Sequence, residues 1–141
     1  MKLEITNQTL TDYEKYYFKL HPRARKKPIE HPYHPSINVW FVMMRLALNT
    51  LKQKWHDFIV WWIKESGLSD LKIEKCKMRF VSYYPTKRRS DTDNSVPKFI
   101  LDGMVEGGLI VDDDSLHLTS LTLECGYSKD NPRTEIYIDV L

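Results

Sequence analysis

Cysteine is nearly missing from this 141-residue chain: Cys76 and Cys125 are the only two, and they form no CxxC pair. That excludes a disulfide framework and argues against a cysteine zinc site, so both are expected to be reduced thiols of a cytosolic protein. Long apolar runs are missing too. None exceeds six residues, as at Val39 to Met44, against the roughly 20 that a membrane span needs. No apolar stretch follows Met1-Lys2, so no secretory signal is expected. What is present is enough for a core: 42% apolar residues, with four Trp, eight Tyr and five Phe, exclude disorder. The length fits one domain, residues 1–141.

The net charge of +2 hides a segregation. From Lys72 to Arg89 there are seven basic residues and one acid, Glu74. A second basic cluster is Arg23, Arg25, Lys26 and Lys27. Such patches suit a polyanion, with a solvated surface as the plainer alternative. From residue 88 to 114 (RRSDTDNSVPKFILDGMVEGGLIVDDD) the balance reverses. Seven carboxylates (Asp91, Asp93, Asp102, Glu106, Asp112, Asp113, Asp114) stand against one lysine, Lys98. Carboxylates packed this densely repel one another unless a cation sits among them. Magnesium prefers hard oxygen donors and is held by one or two carboxylates plus substrate phosphates. A basic strip beside an acidic pocket is what cutting a phosphodiester requires.

The pattern predicts an α/β (α+β) domain: a small mixed sheet with two main helices packed on it. Residues 2–6 alternate weakly, as in a short strand. Residues 7–35 hold Pro22, Pro28, Pro32 and Pro35 and are expected to be a proline-rich basic loop or arm. Leu51, Trp55, Phe58, Ile59, Trp62 and Ile63 recur at helical spacing, with Gly67 as a C-cap. Val39 to Asn49 has fair helical propensity, but adding it would make a helix of about 30 residues, unusual in a small domain. Residues 71–84 alternate as a strand, with a bulge expected near Lys75. A second helix is expected from Asn94 or Ser95, either serving as N-cap, with Pro97 in the first turn. Its apolar stripe is Ile100, Leu101, Met104 and Val105, and Gly107-Gly108 ends it. Leu109 to Val111 reads as a short buried strand. A hairpin of roughly residues 117–125 and 134–141 closes the chain.

Asp91 and Asp93 are one residue apart, which in extended backbone puts both side chains on one face. If the strand 109–111 runs beside the one carrying Asp91, the two acidic groups converge, as one or two magnesium ions would need. An isolated DxDN is more often a turn and a cap. A calcium loop is excluded, because Val96 and Asp102 stand where it needs Gly and Glu. Asp102 reads as a helix-surface residue with a structural hydrogen bond. His31, His34, His56 and His117 share no metal-ligand spacing, and Trp55, Trp61 and Trp62 read as core or subunit interface.

The whole arrangement resembles the RusA family of Holliday junction resolvases. The residues that carry the likeness are Arg88-Arg89, Asp91-Thr92-Asp93-Asn94, Lys98, Leu101-Asp102-Gly103-Met104, Gly107-Gly108, Leu109-Ile110 and Asp112-Asp113-Asp114. Upstream, Pro35-Ser36-Ile37-Asn38 looks like the family's PSLN motif, followed, as in many phage-type members, by a helix containing Lys and Trp. The likeness implies a homodimeric, magnesium-dependent endonuclease, with manganese as a substitute, that makes paired cuts in four-way DNA junctions during recombination and repair. It implies catalytic Asp91, Asp93, Asp113 and Lys98. It implies metal ligation by Asp91, Asp93 and Asp113, with the adjacent Asp112 substituting for or assisting Asp113, and Asp114 the least suited of the three to reach the metal. It gives Lys87, Arg88, Arg89 and Lys98 to the DNA. Ser90 stands where some members carry arginine, so Arg88 or Arg89 must supply that contact. Residues 1–34 have no counterpart in the pattern. The resulting expectation is a cytoplasmic enzyme, nucleoid-associated when on DNA. Its alternatives are a module that grips branched DNA without cutting it and a nuclease for other branched structures.

Overall fold

The computed structural model describes residues 1–87 and 91–141. The chain opens with strand β1 (Lys2–Thr6) and passes without a loop into helix α1 (Asn7–Leu20). Thr6 makes the junction: its hydroxyl accepts from the Thr9 amide at 3.3 Å, while the Thr9 hydroxyl accepts from the Thr6 amide at 3.0 Å. This reciprocal capping box satisfies two otherwise orphaned amides. The reading of residues 7–35 as loop or arm is therefore corrected over 7–20. Its prolines begin only at Pro22, and they break the chain after the helix, not within it. Leu10 and Tyr13 bury the helix's inner face, and the Tyr13 ring lies 5.0 Å from Phe58 and 5.1 Å from Trp61.

A single helical turn, α2 (Ile37–Trp40), is capped by the Ser36 hydroxyl. The long helix α3 then runs from Arg45 to Glu65, starting six residues before its apolar period does. Trp55, Phe58, Ile59, Trp62 and Ile63 bury one stripe of it, so Trp55 and Trp62 belong to the core. Strand β2 (Cys76–Tyr84) follows. The expected strand 71–84 is broken: Ile73 makes only an isolated parallel bridge to Ile110. The irregularity expected near Lys75 falls one step later, between Cys76 and Lys77 in the pairing with the next strand.

After β2 come a 3₁₀ turn (Thr92–Ser95), helix α4 (Lys98–Glu106), strand β3 (Leu118–Tyr127) and strand β4 (Arg133–Val140). The sheet order is β1-β4-β2-β3. β4 is antiparallel to both β1 and β2, whereas β3 is parallel to β2. The sheet is thus small and mixed as predicted, but the closing hairpin is a correction. β3 and β4 are joined by a short turn yet lie on opposite sides of β2. A strand with alternate residues as apolar as Cys76, Met78 and Phe80, all buried, is most fully covered at the centre of the sheet.

The helices cover one sheet face, where Ile5, Phe80, Ile136, Phe58, Phe99 and Met104 meet in one cluster. The other face is polar, and the Arg79 guanidinium there sits 4.1 Å over the Tyr137 ring and bonds Glu124 at 2.8 Å. Among the described residues, no helix is long and apolar enough to cross a membrane.

Helix α4 packs on α3 with almost no gap. A Cβ added at Gly103 would lie 2.5 Å from the Cβ of Ile59, too close for either backbone to keep its place. Gly103→Ala is expected to lower the unfolding free energy by about 1–3 kcal/mol, read from urea melts. An unchanged midpoint would mean that the two helices separate freely.

Candidate active site

Because β2 and β3 run parallel, the chain must cross the sheet between them, and the acidic block lies on that crossover. Asp91 is extended and starts the 3₁₀ turn. Its carbonyl accepts from the Asn94 amide at 3.0 Å, and the Asp93 carbonyl accepts from Val96 at 3.4 Å. Both aspartates are exposed. The shared face inferred from extended backbone does not apply, since Asp93 is inside the turn and Asp91 is not. Arg88 and Arg89, expected to hold DNA, lie outside the described residues. Lys87 is described, and its Nζ lies 5.3 Å from the Tyr127 ring centre.

The predicted helix start at Asn94 or Ser95 is corrected. The 3₁₀ turn ends at Ser95, and α4 begins afresh at Lys98, with Pro97 at its cap position and no cap from a neighbouring side chain. The missing acceptor comes from far away in sequence. The Phe99 amide donates to Nε2 of His34 at 3.0 Å. His34 Nδ1 faces the Pro35 carbonyl at 2.8 Å, so the proton must sit on Nδ1 and the ring must be neutral. The ring is buried beside Phe99 and Trp55. Burial disfavours its charged form and pushes its pKa down to about 4, against weaker upward pulls from the Pro35 carbonyl and the Asp102 charge. Nothing in the HPYHP spacing signalled this role, because the partner amide is 65 residues away.

Lys98, first residue of α4, reaches two carboxylates: Asp102 Oδ1 at 2.8 Å and Asp113 Oδ2 at 3.7 Å. Its hydrogen bond to Asp102 is the main reason its pKa is raised, and both negative charges add to it. The structure therefore brings Lys98 and Asp113 together. Asp102, expected only to make a structural hydrogen bond, holds the ammonium in place. The i,i+4 spacing of a lysine and an aspartate was the available signal.

The strand expected at 109–111 runs beside Ile73, with Ile73 donating to the Leu109 carbonyl and Val111 donating to that of Ile73. Among the described residues its bridge is to Ile73, not to the stretch that carries Asp91. Asp112 Oδ1 accepts from the Asp113 amide at 2.7 Å. Asp114 Oδ1 accepts the Leu116 and His117 amides and lies 2.6 Å from His117 Nδ1. The bond to His117 is the chief cause that holds the Asp114 carboxyl below its usual range.

Among the described residues, the group whose donor atoms lie within 4.8 Å of one another is Asp112, Asp114 and His117. Asp91 and Asp93 are not in it. Asp114 and His117 are thus nearer to metal-binding geometry than their sequence positions suggested. The two carboxylates of the group suit magnesium or manganese, and its imidazole suits zinc or iron.

A family model described as Endodeoxyribonuclease RusA matches residues 3–139 of the chain. No curated protein matches it.

The neutral His34 cap makes stability depend on pH with a definite sign. Its pKa is lower folded than unfolded, so its contribution is complete above pH about 6.5 and is lost as pH falls toward about 4. That interval corresponds to roughly 3 kcal/mol. Urea melts between pH 7 and 4.5 are expected to show this decline in the native protein and a flatter curve in His34→Gln. Parallel curves would remove His34 as the titrating group.

Proposed function

The chain belongs to the RusA endodeoxyribonuclease family, and from that premise we propose that it resolves four-way DNA junctions by magnesium-dependent hydrolysis of paired phosphodiesters. The observation that carries the reading is the ammonium of Lys98, set between Asp102 and Asp113 at the head of α4, one short turn after the exposed Asp91 and Asp93. A cation fixed in place among carboxylates is what a site handling a doubly esterified, negatively charged phosphate needs.

Asp91, Asp93 and Asp113 would hold the magnesium ion, with Asp112 assisting and manganese able to substitute. When bound, the ion supplies Lewis acidity at the scissile phosphate and activates the attacking water. Lys98 stabilises the charge that builds on the phosphate oxygens in the transition state. Asp102 keeps that ammonium aimed and protonated, so it acts through Lys98. Lys87, Arg88 and Arg89 bind flanking phosphates, which fixes the register of the DNA without reading its sequence.

A four-way junction has two-fold symmetry, and a C2 homodimer matches it with two sites at a fixed separation. Residues 1–141 act as one nuclease domain in this reading. The setting is the cytoplasm, with recombination and repair as the processes served.

The test is cleavage of a labelled synthetic junction with magnesium, beside a linear duplex. Symmetric nicks on the junction alone are expected, abolished in Asp93→Asn and reduced about 10²–10³-fold in Lys98→Ala, with junction binding retained in both. Tight binding without nicks in the native protein would leave a branched-DNA-binding module, and equal cutting of flaps would leave a broader nuclease. For the basic strip, Arg88→Ala is expected to reduce the slope of log affinity against log salt by about one. An unchanged slope removes Arg88 from the phosphate contacts.

A further inference from the structure

The segment before and into α3 carries, among the described residues, a dense run of exposed apolar side chains. Val39, Phe41, Val42, Met44 and Leu46 fall within eight consecutive residues and are 56 to 83% exposed. Contiguous apolar exposure of this kind marks an interaction site. The support beneath it is firm. Ser36 caps α2, the Trp40 ring packs 5.4 Å from Phe99, and the buried stripe of α3 anchors the helix that continues from the segment. The side chains are therefore presented on a short turn held at both ends, by α2 and by α3.

Two features say what kind of partner covers it. The first is charge. Between Glu30 and Asp57 there is no carboxylate in 26 residues, while Arg45, Lys52 and Lys54 lie in and just after the step. An apolar step whose own segment carries cations and no carboxylate complements a ligand with apolar faces and an anionic rim. Nucleic acid with exposed bases has this pattern: base faces inside, phosphates outside. The second is position. α2 lies against the 3₁₀ turn that carries Asp93, and Phe99, on which Trp40 packs, follows Lys98. A protein partner seated on the step would crowd the turn that the substrate must reach.

We propose that the exposed step from Val39 to Leu46 seats against unstacked base faces at a DNA branch point and distinguishes branched DNA from linear duplex. In a continuous duplex the base faces are hidden in the stack, so the step has nothing apolar to meet. At a branch point stacking is interrupted, and apolar side chains inserted there stabilise the open step. This rests on the proposed reading in taking DNA as the ligand and the 3₁₀ turn as the place it must reach, and it does not require cutting.

The experiment uses the full chain with calcium in place of magnesium, a four-way junction carrying 2-aminopurine at the branch point, and a linear duplex of equal length. The native protein is expected to brighten the 2-aminopurine and to prefer the junction. The double variant Phe41→Ser, Met44→Ser is expected to bind the junction at least about tenfold more weakly and to lose the fluorescence change. Its duplex affinity and sedimentation should stay unchanged, since both residues lie outside the core.

An unaltered junction-to-duplex ratio in the variant overturns the proposal. So does a fall from dimer to monomer, which would give the step to a second copy of the chain. The two readings fail separately. Junction-selective brightening without nicks in magnesium removes the nuclease and leaves the step, whereas nicking that survives the variant with full selectivity removes the step alone.

Discussion

Parallel strands cannot be joined by a tight turn, and the parallel pairing of β2 with β3 is the constraint from which the site follows. The connection must leave one end of β2, travel back along the sheet and enter β3 in the same direction. Here it does so through the 3₁₀ turn, α4 and the bridge at Ile110. Every acidic residue singled out lies on this one crossing, in three successive places: before α4, on α4 and after it. The close contact of Gly103 with Ile59 holds α4, which carries Lys98 and Asp102, against α3.

Within that crossing, two hydrogen-bonded groups work side by side at the head of α4. His34 satisfies the Phe99 amide as a neutral acceptor, and Lys98 extends its ammonium to Asp102 and Asp113. A charged cap would have been the simpler device for a helix N-terminus. A carboxylate at the position of His34 would add negative charge next to a cluster already rich in it and would compete for the lysine. A buried imidazole accepts the amide without entering that electrostatic balance. Its cost is the pH dependence that follows from keeping the ring neutral.

What the sequence disclosed and what it hid divide along physical lines. The acidic motif was readable because residue type and spacing are both local, and so were the buried stripe of α3 and the glycine turn after α4. α1 was hidden by the prolines from Pro22 onward, whose effect was extended too far back, although the Thr6 and Thr9 hydroxyls were present as a capping signal. The order of β3 and β4 was hidden because a short turn between strands suggests direct pairing. The choice of the central strand is instead made by tertiary burial, which no single segment records. The His34 cap and the joint hold of Lys98 by Asp102 and Asp113 depend on contacts that exist only after α4 has docked. The grouping of Asp112 and Asp114 with His117 is of the same kind, since those donor atoms meet only in the folded turn.

The beginning of α3 shows why the apolar period failed to mark the helix there. The period starts at Leu51, yet the helix starts at Arg45. An amphipathic pattern reports which turns of a helix lie against something, not which residues are helical. From Leu51 onward the body of the protein covers one face, and sequence and burial alternate together. Before it, among the described residues of the helix, only Leu48 packs against the core, so apolar residues such as Leu46 stay exposed without breaking any packing rule. A helix that outruns its own core in this way carries an apolar surface on a rigid support. The loss of period between Val39 and Asn49 is therefore itself the sequence record of a stretch whose Val39, Phe41, Val42, Met44 and Leu46 the folded chain leaves exposed.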